Sequence, residues 1–161
     1  MKAIWYLLKC PEENEREYVE RCQKLPETEN AQDIICFQYQ RMFRYGGGWH
    51  LETRRLLPGC IFLSEAKAAG MKEEVEEDAR VSLVPCKVNS LKSLCSQENL
   101  IGISRGIIKD GIPMVDSGPL KGREYLIRKI DRHKRTAQLE IPFADTDTRI
   151  TVGLEIYEKQ R

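Results

Sequence analysis

Val115-Asp116-Ser117-Gly118-Pro119-Leu120-Lys121-Gly122-Arg123-Glu124 runs on through an extended stretch to Ile130-Asp131-Arg132-His133-Lys134-Arg135. A Gly-Pro turn, a second glycine three residues after the proline, a β-rich run and a basic hairpin tip are the parts of a small β module that turns cations toward a phosphate backbone. From Lys121 to Arg135 there are seven Lys or Arg against two carboxylates, a local charge of +5. The whole 161-residue chain carries only +1, and a balanced total can hide separate acidic and basic faces.

Working outward, nothing beyond residue 112 has helical periodicity. Runs at 125–130, 136–141, 149–152 and 155–158 are separated by turn residues, which predicts a small barrel. Residues 102–111 carry Gly102, Gly106 and Gly111 and are expected to be a short linker. The N-terminal part reads differently. An apolar run at 3–8 predicts a strand, and Tyr18, Val19, Cys22 and Leu25 recur at helical spacing behind Asn14 and Glu17, which have the form of a capping box. That helix is expected over 15–24 and to end at Pro26. Residues 34–45 and 49–57 flank Gly46-Gly47-Gly48 as a hairpin, Pro58-Gly59 turns the chain into a buried strand at 60–63, and residues 64–79 predict a helix. A strand at 81–84 and a helix at 91–100 complete an α/β unit of about a hundred residues.

The composition, 41% apolar and 32% charged, is that of a globular chain able to bury a core. Lys9 interrupts the first apolar run too early for a membrane span or a signal sequence, so a cytoplasmic protein without a membrane partner is expected. Six cysteines at positions 10, 22, 36, 60, 86 and 95 show no CxxC or CxC spacing, which predicts buried thiols, no metal and no cofactor. Nucleophile–base pairs at motif spacing are absent, Cys60 with His50 being the one pair worth testing, and the chain is not expected to be an enzyme.

Taken together, these stretches resemble the NusG family of bacterial transcription elongation factors over nearly the full length. The resemblance rests on Trp5-Tyr6-Leu7-Leu8, on Arg54-Arg55-Leu56-Leu57-Pro58-Gly59-Cys60-Ile61-Phe62-Leu63, and on Ser117-Gly118-Pro119-Leu120-Lys121-Gly122, which opens what looks like a KOW module. It implies an α+β protein: an NGN domain over 1–101, a linker over 102–111, and an SH3-like KOW barrel over 112–161. It further implies that Tyr6, Lys9, Leu57, Pro58, Cys60 and Phe62 contact the clamp helices of the largest subunit of RNA polymerase. Core packing is the alternative for each of these residues, and Cys60 is smaller than the family's usual aromatic. Ser82-Leu83-Val84-Pro85-Cys86-Lys87 and Tyr125 depart from the housekeeping pattern. With the 101–106 stretch and the basic run 132–135 they make the chain look most like the LoaP branch, whose members are operon-specific processive antiterminators.

That branch implies a leader RNA hairpin as ligand, and the basic module points the same way. Duplex RNA is read by shape and backbone, while loops and bulges supply discrimination. The expected RNA-binding residues are Lys121, Arg123, Arg128, Lys129, Arg132, His133, Lys134 and Arg135. Arg41, Arg44, Arg54 and Arg55 are further cations, for which solvation and nucleic-acid contact are both open. A monomer is expected. The rival functions are a general NusG-type elongation factor, coupling polymerase to ribosome or termination factor, and a ribosomal or RNA-processing KOW protein.

Overall fold

The structure, a computed structural model, describes residues 4–25, 33–96, 98–144 and 147–161. Ala3 and Pro26, expected to open the first strand and to stop the first helix, lie outside them. The chain is α+β and mostly sheet, and no helix among the described residues is long and apolar enough to cross a membrane. Its packing separates two compact units.

The first unit takes residues 1–36, 57–89 and 142–146. Strands β1 (Trp5–Lys9), β2 (Ile34–Ile35), β5 (Cys60–Ser64) and β6 (Ser82–Cys86) form an antiparallel sheet in the order β2-β5-β1-β6. Helices α1 (Glu15–Gln23) and α2 (Glu65–Glu77) bring Tyr18, Cys22, Ala68 and Met71 onto Leu8, Ile61 and Leu63 of the sheet. Asn14 precedes α1, but its side chain makes no capping bond to the backbone. It reaches Glu17 instead, at 3.4 Å. The other end of α1 is closed by a buried lysine: Lys67 of α2 donates from Nζ to the carbonyls of Cys22 (3.0 Å) and Leu25 (3.2 Å). A cation there satisfies orphan carbonyls and complements the helix dipole. Ser64 caps α2, accepting at Oγ from the Lys67 amide.

The second unit takes residues 37–56, 90–141 and 147–161. The hairpin β3 (Gln38–Tyr45) and β4 (Gly48–Arg55) turns through Gly46 and Gly47, at φ +59° and +80°, the left-handed pair that a two-residue hairpin loop requires. With β7 (Leu100–Ile101) it forms a three-stranded sheet. Helix α3 is shorter than expected, Asn89–Leu94. Glu98 and Asn99 adopt positive φ, and the Ser96 amide bonds the Leu100 carbonyl, so the chain turns into β7.

Three expectations for the C-terminal half change. Residues 104–109, read as linker, are strand β8 (Ser104–Lys109), paired with β9 (Ile112–Ser117). Gly106 suggested a break, yet a Cβ there would sit 2.3 Å from the Met114 carbonyl oxygen, so glycine is what lets the two strands close on one another. The two runs at 149–152 and 155–158 are one strand, β12 (Asp147–Gln160). Finally, the barrel is not closed. With β10 (Ile127–Asp131) and β11 (Thr136–Pro142) the strands form an open five-stranded sheet, β10-β11-β12-β8-β9, with β10 and β9 as its edges.

The hairpin packs across β12 at Gly153. A Cβ there would meet the Gln40 carbonyl oxygen at 2.5 Å, Ile103 Cγ1 at 3.0 Å and Arg41 Cα at 3.3 Å. Gly153→Ala is therefore expected to destabilise by about 1–3 kcal/mol through overpacking. Gly48→Ala meets nothing within 4 Å and should stay within about 0.5 kcal/mol; urea unfolding of the two variants checks the contrast. In the first unit, hydrogen bonds from Arg80 and then from the Tyr18 hydroxyl hold the Asp78 carboxyl well below the usual carboxylate range. A carboxylate with a lowered folded pKa adds stability above its unfolded pKa of about 4 and loses it as pH falls through the folded value. Asp78→Asn should accordingly flatten the acid limb of the stability–pH curve and lower stability at neutral pH.

Candidate nucleic-acid interface

The strands β10 and β11 are joined by the four residues Arg132, His133, Lys134 and Arg135, between the paired Asp131 and Thr136. The loop is held from inside: Asp131 Oδ1 accepts from the Lys134 amide at 3.0 Å, and Arg135 takes the left-handed conformation at φ +55°. That backbone bond, followed by the charge of Lys134, keeps the Asp131 carboxyl below its ordinary range. Arg132, His133 and Lys134 are consequently turned out to solvent, as is Lys129 on β10. Lys129, Arg132 and Lys134 make no side-chain hydrogen bond or ion pair among the described residues. Lys121 is exposed in a separate turn, where the Lys121 amide donates to the Gly118 carbonyl. That turn is anchored by buried Leu120, whose amide donates to buried Ser104 Oγ at 3.0 Å.

The other three expected RNA contacts are engaged inside the protein. Arg123 Nη1 donates to the Pro119 carbonyl at 2.9 Å. Arg128 pairs with Glu140 at 2.9 Å and donates to the Tyr125 carbonyl at 2.8 Å. Arg135 lies 3.9 Å over the ring of Trp49 on β4, sits 3.8 Å from Glu155 of β12, and accepts the Leu154 amide at its carbonyl. It is a staple between the hairpin and the C-terminal sheet.

The hairpin carries aromatic and cationic side chains in stacks. The Phe43 ring has the Arg41 guanidinium at 4.1 Å and the Arg54 guanidinium at 4.5 Å, and Arg44 lies 5.9 Å from the centre of Trp49. Arg54 is also tied to Glu52. Arg41 reaches further, donating from Nη2 to the Lys134 carbonyl at 3.3 Å. Between them lies a pocket of about 200 Å³ walled by Arg41, Lys129, Lys134 and neighbouring polar side chains. Nothing local in the sequence ties β3 to a loop ninety residues away, so the reach of Arg41 is visible only in the fold.

The residues expected on the polymerase-binding face do not share one surface. Strand alternation puts Tyr6 on the helix-covered side, where it borders a groove of about 410 Å³ with Ala69, Lys72 and Val75 of α2 and Leu83 of β6. Lys9 and Cys60 face each other across β1 and β5 on the opposite side, together with Leu7 and Phe62. Phe62 is 0% exposed and packs edge-on to Phe143 at 5.8 Å, so it is a core residue of the first unit. Pro58 and Lys9 are exposed, and Leu57, Cys60 and Tyr6 are half-buried.

Burial pushes the Cys60 thiol up, the reverse of what an activated nucleophile needs. His50 stacks on Tyr45 at 3.9 Å with Nε2 3.0 Å from the Tyr45 carbonyl oxygen. No disulfide joins the described cysteines, and among the described residues no group of three or more His, Cys, Asp or Glu side chains is placed to hold a metal ion. No protein-family model matches the chain, and no curated protein matches it.

Because Arg135 is engaged and Arg132 is not, the two should separate in stability measurements. Arg135→Ala is expected to cost about 1 kcal/mol through the lost cation–π contact, with a change in Trp49 fluorescence. Arg132→Ala should stay within about 0.5 kcal/mol.

Proposed function

We propose that this protein is a NusG-type, LoaP-like factor for operon-specific processive antitermination. On this reading its N-terminal NGN part holds the clamp helices of RNA polymerase, while the C-terminal KOW part binds a leader RNA hairpin, in the cytoplasm and as a monomer. The observation that carries it is the outward-turned, unpaired Arg132 and Lys134 on a four-residue loop braced by the Asp131–Lys134 bond, beside exposed Lys129. Three unpaired cations on one strand-and-loop edge neutralise phosphates at little cost, since they give up no internal ion pairs. Two modules acting on one elongation complex raise each other's effective concentration, so specific recruitment needs no very tight single contact.

The general elongation factor is favoured by a different feature. Ile112 and Met114 on edge strand β9 are 64% and 50% exposed, as a surface for a protein partner would be. Chromosome-wide crosslinking separates the two: a targeted antiterminator occupies a few long operons beginning just after their leaders, whereas a general factor follows polymerase over most genes.

Arg132→Ala with Lys134→Ala tests the RNA reading and leaves the Arg135 staple intact. Against an RNA stem-loop selected from a randomised-loop pool with the wild-type chain, the double variant should lose at least about tenfold in affinity, and the slope of log K against log salt should fall by about 2. Binding to RNA polymerase should be unchanged. Equal RNA affinity in the two proteins would remove these residues from the interface.

A further inference from the structure

The pocket between the hairpin and the β10–β11 loop has a chemistry of its own. Arg41 of β3, Lys129 of β10 and Lys134 of the loop wall it, against a single carboxylate, Asp131. Three cations against one carboxylate leave a net +2. Asp131 is already committed through Oδ1 to the Lys134 amide, which reduces its claim on those cations. Hydrogen-bonding groups that carry no charge, Thr136 and Gln138 of β11 and Thr151 of β12, complete the wall. Arg41 Nε is buried and has no hydrogen-bond partner, which is uncommon for a buried donor.

We infer that this pocket seats a phosphodiester of the RNA backbone, so that the RNA surface is composite and Arg41 of the β3–β4 hairpin belongs to it. The inference rests on the RNA-binding reading above and extends it to a strand outside the C-terminal segment. A volume of about 200 Å³ admits a phosphate with part of its ribose, and guanidinium, ammonium, amide and hydroxyl donors are the groups that recognise phosphate oxygens. The seat shares Lys134 with the loop that carries Arg132, so a stem gripped by the loop would have a neighbouring phosphate within reach of it. The contacts position the RNA; they read no base. Stacking of Arg41 on Phe43 and of Arg135 on Trp49 holds the hairpin wall in place before RNA arrives, which lowers the ordering cost of binding.

The test uses the full chain and the selected stem-loop. Arg41→Gln and Lys129→Gln should each weaken binding about tenfold and each lower the salt slope by about 1. Thr151→Val keeps the charge and should weaken binding with the slope unchanged, a result that a diffuse cationic field does not produce. Lys109→Gln is the control. Lys109 pairs with Gln160, nine residues along β12 from Thr151, or about 30 Å at strand spacing, and its replacement should leave the affinity within about twofold. Lys129→Gln also guards against a folding artefact, because that exposed side chain has no partner to lose. If wild-type protein selects no stem-loop, the RNA reading itself fails. If it does, and Arg132→Ala with Lys134→Ala weakens binding while Arg41→Gln, Lys129→Gln and Thr151→Val match wild type, the RNA reading stands and the phosphate seat is wrong.

Discussion

The seating of the β3–β4 hairpin depends on the missing side chain at Gly153. Strand β12 passes so close to β3 that a Cβ would stand 2.5 Å from the Gln40 carbonyl oxygen, a separation no packed side chain tolerates. That approach seats the β3–β4 hairpin on the C-terminal sheet, and the seating makes the rest possible. Arg41 can bond the Lys134 carbonyl, Trp49 can lie under Arg135, and a pocket can form whose walls come from residues ninety positions apart. The energetics favour a firm contact: the aromatic–cation stacks add to burial of Tyr39, Leu139, Val152 and Leu154.

Much of this architecture was legible in the sequence where the signal is local. The α1 and α2 helices, the Gly-Gly hairpin and the strands at residues 60–63 and 81–84 lie close to where periodicity and turn chemistry place them. Two of the misreadings share a cause. Glycines announce a break when read along the chain, but Gly106 and Gly153 are strand residues whose purpose is to admit another backbone, and that neighbour is visible only in three dimensions. Hence a strand was read as a linker, and one 14-residue strand as two. The division of the chain at residues 101–112 likewise missed the hairpin, since sequence order says nothing about which sheet a hairpin joins.

The candidate site shows the same limit at the level of side chains. A run of charge points to the loop but treats its cations as equals. The fold sorts them: Arg123, Arg128 and Arg135 hold carbonyls, a carboxylate and an indole, while Lys129, Arg132 and Lys134 remain available. Phe62 illustrates the reverse error. Its place in a motif implied a contact surface, whereas strand alternation sends it into the core against Phe143. Alternation also sets Tyr6 and Lys9 on opposite sides of β1, so any polymerase contact in the first unit has to be assigned face by face.

Amide hydrogen exchange of the full chain, with and without the selected RNA stem-loop, tests the composite surface most directly. Slowed exchange is predicted in two stretches at once, residues 41–49 of the hairpin and residues 131–138 of the loop and β11. Protection confined to residues 131–138, with the hairpin exchanging as it does in the free protein, would contradict the account.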